Sequence, residues 1–158
     1  MLYLSDFAPG QTYHGGPIAV ETEEVIGFAN RYDPQYFHTD AEAAKTSLFG
    51  GLASSGWMTA ALTMRMLVSS GIDIVGGMIG REVEKLGWPR PTYPGDVLRT
   101  VTEVLDVLPS RSKPDRGMIR VRTNTLNQRD EIVQTMTTLI LVPNRVKESV
   151  CPSMAPIG

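Results

Sequence analysis

The chain has 158 residues with 15 Lys+Arg against 17 Asp+Glu, a formal net charge of -2. That fits one domain with a core of ordinary size and leaves no basic footprint for nucleic acid and no polybasic membrane anchor. Hydrophobic residues make up 42%, the share of a globular protein, and no apolar run approaches the roughly 20 residues that span a bilayer. The single cysteine, Cys151, excludes an intrachain disulfide framework and a thiolate metal cluster. The opening stretch, "MLYLSDFAPGQTY", lacks the basic and apolar regions of a signal peptide, so the expected location is cytoplasmic.

In chain order, residues 12–20, "TYHGGPIAV", predict an edge strand with Gly15-Gly16-Pro17 as a bulge or break. Thr22 then caps a helix whose first turn carries Glu23 and Glu24, favourable at the positive end of the dipole. Val25, Phe28, Ala29 and Tyr32 follow at i, i+3, i+4, i+7 along one face. Pro34 disfavours helical geometry at Asp33, so the helix ends there and presents Asp33 at its C-terminal end. The stretch between Asp33 and His38 is too Pro-interrupted for a helix and too aromatic for an ordinary exposed loop. A short helix opens at "TDAEAAKT", with Thr39 and Glu42 as a capping box or Asp40 as the cap itself.

The small, Gly-rich "SLFGGLASSG" feeds "WMTAALTMRMLVSSG", which predicts a buried helix capped by Ser54 or Ser55. Trp57, Ala61, Met64 and Val68 share its apolar face, broadened by Met58, Leu62 and Met66. The second half changes period. Residues 74–87 are a candidate strand. "GDVLRTVTEVLDVLP" is a long β-branched run after the Pro94-Gly95 turn. "GMIRVRTNTLNQ" alternates, with Ile119, Val121, Thr123 and Thr125 on one face and Arg120, Arg122 and Asn124 on the other. "DEIVQTMTTLILVP" is a last long strand. Long strands joined by short turns suggest an antiparallel meander. The expected fold is an α+β domain over residues 1–145 in which a curved antiparallel sheet wraps one long hydrophobic helix. Residues 146–158, with Cys151, form an irregular tail.

The chemistry concentrates in "RYDPQYFHTD". Asp33 and His38 stand five residues apart in a segment stiffened by Pro34, flanked by Tyr32, Tyr36 and Phe37, and held between two helix ends. An imidazole beside a carboxylate in an apolar setting is a proton-transfer pair. In "GGLASSGW", glycines let backbone approach a ligand, and the segment runs into a helix N-terminus whose free N–H groups can bind a carbonyl oxygen gaining negative charge. Two histidines and one cysteine make no metal set, His14 reads as structural or exposed, and there is no Walker A, dinucleotide fingerprint or G-x-S-x-G.

"FANRYDPQYFHTDAEAAKTSLFGGLASSGWMTAAL" resembles the hydratase signature of the MaoC-like, (R)-specific enoyl-CoA hydratase family. "RPTYPGDVL", residues 90–98, resembles its second motif. The resemblance covers about residues 5–142. It implies a hot-dog fold and a homodimer or dimer of dimers with joined sheets and active sites near the interface. It also implies hydro-lyase chemistry between an enoyl and a 3-hydroxyacyl thioester, of coenzyme A or an acyl carrier protein, with no cofactor. The resemblance puts the catalytic roles on Asp33 and His38 and the oxyanion-binding N–H on Gly56; Ser55, Trp57, Tyr36, Phe37 and Gly51 are expected to bind substrate. The chain departs from the common Asp-x-Asn-Pro-x-His at Gln35 and Tyr36, and from the common His-Gly at Ser55-Gly56. An acyl-thioesterase on the same fold and a non-catalytic acyl-thioester binder are the alternatives.

Overall fold

Five antiparallel strands carry the architecture in a computed structural model that describes residues 1–145; the tail assigned to 146–158, with Cys151, lies outside the described residues. The strands are β1 (Thr12–Ala19), β2 (Ile79–Gly87), β3 (Val97–Pro109), β4 (Arg116–Leu126) and β5 (Ile132–Pro143), in the spatial order β1-β3-β4-β5-β2. Among the described residues, four α-helices, α1 (Thr22–Tyr32), α2 (Tyr36–Thr39), α3 (Ala41–Ala44) and α4 (Gly56–Val68), fall between β1 and β2, and a 3-10 turn, Leu4–Asp6, precedes β1. This is the hot-dog arrangement, a curved sheet around a hydrophobic helix. Among the described residues, no helix is long and apolar enough to cross a membrane.

Alternation along β4 decides which side faces α4. Ile119, Val121, Thr123 and Thr125 are buried on the concave face, while Arg120 on the convex face bridges Asp106 of β3 and Glu84 of β2. One core cluster joins Leu4 and Phe7 to Leu67, Val104, Ile119 and Ile140; a second joins Val20 and Val25 to Met58, Leu62, Met66 and Leu98. β1 can lie close against α4 because Gly15 has no side chain: a Cβ there would meet the carbonyl oxygen of Met66. The ladder of β1 on β3 shifts register between Gly15 and Ile18, at the expected bulge.

Several local expectations change. Only β3, β4 and β5 form a meander; β2 crosses to the far edge and pairs with β5. It begins at Ile79 rather than at residue 74. The α1 N-cap is Glu21, not Thr22, and no side chain caps it. The segment after Pro34 does hold a helical turn, Tyr36–Thr39, since Pro34 restrains itself and the residue before it and Gln35 starts afresh in extended geometry. Asp40 is the cap of α3, accepting from the N–H groups of Glu42 and Ala43 at 2.9 and 3.0 Å. The largest change is in α4. Its buried face carries Met58, Thr59, Leu62, Thr63, Met66 and Leu67, and the stripe of Trp57, Ala61, Met64 and Val68 is exposed.

Candidate active site

Asp33 sits at the C-terminal cap of α1 and His38 on the single turn of α2, so two short backbone breaks set their separation. His38 Nδ1 lies 2.7 Å from the carbonyl oxygen of Ala53. A carbonyl oxygen only accepts, so Nδ1 carries the proton and donates. Nε2 then faces Asp33 Oδ2 at 3.4 Å, with the imidazole only 6% exposed. Phe37 meets the ring edge-on at 4.6 Å and Phe49 lies 6.0 Å away. These aromatics fix the imidazole plane.

Asp33 is held from both oxygens. Oδ2 accepts from Ser55 Oγ at 2.7 Å and Oδ1 from Gln35 Nε2 at 2.7 Å. Partial burial pushes its pKa up, but the bonds from Ser55 and Gln35 and the nearby His38 outweigh that and hold the carboxyl below the usual carboxylate range. Gln35, a departure from the common motif, thus supplies an amide donor to the acid.

Ser55 ties the acid to the helix. Its Oγ donates to Asp33 and accepts from Trp57 N–H at 3.3 Å as the α4 N-cap. Gly56 is the first residue of α4, so its N–H has no intrahelical partner. The second motif braces this turn. Ser54 N–H donates to Thr92 O at 2.8 Å, Tyr93 OH donates to Phe49 O at 2.9 Å, and the buried Asp96 accepts from Tyr93 N–H at 2.9 Å. Gly95 takes φ 90°, which the turn requires.

A cavity of about 330 Å³ opens on Asp33, His38, Gly56 and Trp57. The sequence reading missed the rest of its wall, notably Phe49, Thr59, Trp88 and Arg90. Trp88 lies against Gly56: a Cβ on Gly56 would stand 2.7 Å from Trp88 Cε2. No local signal marks Trp88, because its partner is far away in sequence. Ser55 acts through Asp33. Tyr36, Phe37 and Gly51 lie off the cavity wall. Tyr36 is exposed, Phe37 packs behind the imidazole, and Gly51 approaches nothing closely. Gly50 takes φ 68° in its own turn.

Residues 6–127 match the MaoC like domain, and the chain belongs to that family. It is 33% identical over 130 residues to the uncharacterized protein YdeM of Bacillus subtilis (strain 168), covering 80% of this chain and 89% of the relative. Its structure is similar to a MaoC-like dehydratase from Rhodospirillum rubrum, with TM-score 0.88, 48% identity, and 93% of this chain and 100% of that one covered. It is also similar to the R-hydratase PhaJ1 from Pseudomonas aeruginosa, with TM-score 0.73, 25% identity, and 99% and 96% covered. A MaoC-like hydratase fold therefore surrounds a carboxylate, an imidazole and a helix N-terminus that share one cavity.

Proposed function

We propose that this protein is a hydratase/dehydratase that interconverts an enoyl thioester and a 3-hydroxyacyl thioester, with coenzyme A as the favoured carrier. The observation that carries this is the 3.4 Å gap between Asp33 Oδ2 and His38 Nε2 over the cavity. With Asp33 ionised and the imidazole proton on Nδ1, both facing atoms are acceptors. A water there can donate one hydrogen to each and turn a lone pair toward the β-carbon of the substrate. Attack at that carbon moves electron density onto the thioester oxygen, where the Gly56 N–H and the N-terminal end of α4 stabilise the negative charge. The pair takes up one proton from the water and returns one to the α-carbon. No step calls on a cofactor.

We place the working form as a homodimer. β2 is an edge strand with Ile79 and Val83 more than half exposed, and α4 leaves Trp57, Met64 and Val68 uncovered. An exposed apolar edge is a liability that pairing with a second copy removes. The test of function is to mix the protein with crotonyl-CoA, follow loss of the conjugated-thioester absorbance, and assay free thiol in parallel. Absorbance loss without thiol release supports hydration; stoichiometric thiol release would make the protein a thioesterase instead.

A further inference from the structure

Beyond the dyad, a hydrogen-bonded chain runs behind the cavity. Trp88 Nε1 lies 2.8 Å from Gln134 Oε1, Gln134 Nε2 lies 3.0 Å from Thr63 Oγ1, and Thr63 Oγ1 lies 2.6 Å from Thr125 Oγ1. Gln134, Thr63 and Thr125 are all fully buried. An indole N–H can only donate, so it fixes the amide of Gln134 with Oε1 toward Trp88 and Nε2 toward Thr63. Thr63 accepts from Gln134 and shares a further hydrogen bond with the Thr125 hydroxyl, in which either oxygen can be the donor. Every member has at least one hydrogen-bond partner, and breaking the chain leaves a buried polar group unpaired. The indole is therefore fixed in orientation by an anchor reaching from β5 to α4 and β4. Yet it is itself 40% exposed and lies on the cavity wall across Gly56. A side chain so anchored but so open is doing more than filling the core.

We infer that Trp88, held in place by Gln134, is the specificity-determining wall of this site: it stops the acyl chain at Gly56 and restricts the enzyme to short acyl thioesters. The inference rests on the hydratase reading for the identity of the ligand. Gln134 is a positioning residue that acts through Trp88. Behind the indole lies the Gln134–Thr63 chain between β5 and α4, so removing the ring enlarges the cavity toward the interior, where a longer acyl chain gains burial. Each methylene that gains burial is worth about a factor of four in kcat/KM, so two are enough for a tenfold change.

The test has one kinetic and one optical arm. Trp57 and Trp88 stand edge to face at 5.3 Å and 78°, a geometry that couples their transitions and gives a circular-dichroism couplet, which Trp57→Phe identifies by abolishing it. Trp88→Ala is expected to raise the kcat/KM ratio of trans-2-octenoyl-CoA to crotonyl-CoA at least tenfold. Gln134→Met is expected to shift that ratio in the same direction and to halve the couplet in protein that still melts cooperatively. Should Gln134→Met not fold, Trp88→Phe, which keeps a ring and deletes the N–H, is expected to shift the same ratio upward. An unshifted ratio in Trp88→Ala, or a folded Gln134→Met with an intact couplet, overturns the inference while wild-type turnover upholds the hydratase reading. A wild type inert on every enoyl thioester overturns both.

Discussion

Ser55 does two jobs with one hydroxyl, and they separate by pH. It donates to Asp33 and caps α4. Because the folded-state pKa of Asp33 lies below its unfolded value, its contribution to stability is present above about 3.9 and is lost as pH falls through the folded value. Ser55→Ala removes a bond to a charged group, worth about 1.5–3 kcal/mol, plus a cap worth about 1 kcal/mol that does not titrate. Denaturant melts of wild type and Ser55→Ala across pH should show a gap that is widest at neutral pH and narrows below about pH 4; a pH-independent gap would deny the depressed carboxyl. At Gly56, the obstacle is Trp88. Gly56→Ala should cost about 1–3 kcal/mol by overpacking, and much less in a Trp88→Ala background. Additive costs in that double-mutant cycle would mean that the indole does not limit the glycine.

At the scale of the element, α4 shows what periodicity can and cannot say. Its sequence carries two apolar stripes, one on Trp57, Ala61, Met64 and Val68 and one on Met58, Leu62 and Met66. Periodicity centres the core face on the first and counts the second only as broadening it. The fold buries the second, because Thr63 beside it finds buried partners in Thr125 and Gln134. Those partners come from β4 and β5, beyond the reach of a local window. The dyad segment was more legible, since Pro34 and Asp40 are local devices that set where α1 stops and α3 starts. The prediction for α4 follows from its two faces. Met66→Ala, at a fully buried position, should cost about 2–5 kcal/mol at any protein concentration. Met64→Ala should cost within about 0.5 kcal/mol in protein diluted to monomer. Thermal melts over a concentration series check both, and equal losses would mean that the two faces have been exchanged.

For the whole molecule, the alternation of β3 to β5 and their turns made the antiparallel sheet legible, and the two motifs in order identified the fold. The crossing of β2 to the far edge was not legible, because no local pattern says which neighbour an edge strand will choose. That edge bears on assembly. Sedimentation at tens of micromolar is expected to show a dimer, and Val83→Lys on β2, or Met64→Lys on α4, to shift it to monomer; a monomeric wild type would overturn the assembly reading. The most direct test of the proposed chemistry is kcat per folded molecule on crotonyl-CoA for wild type, Asp33→Asn, His38→Gln and the double variant. Each single variant should fall by about 10²–10⁴, and the double should be little worse than either, because the pair acts as a unit. Single variants that turn over crotonyl-CoA as fast as an active wild type would contradict the assignment of the reaction to Asp33 and His38.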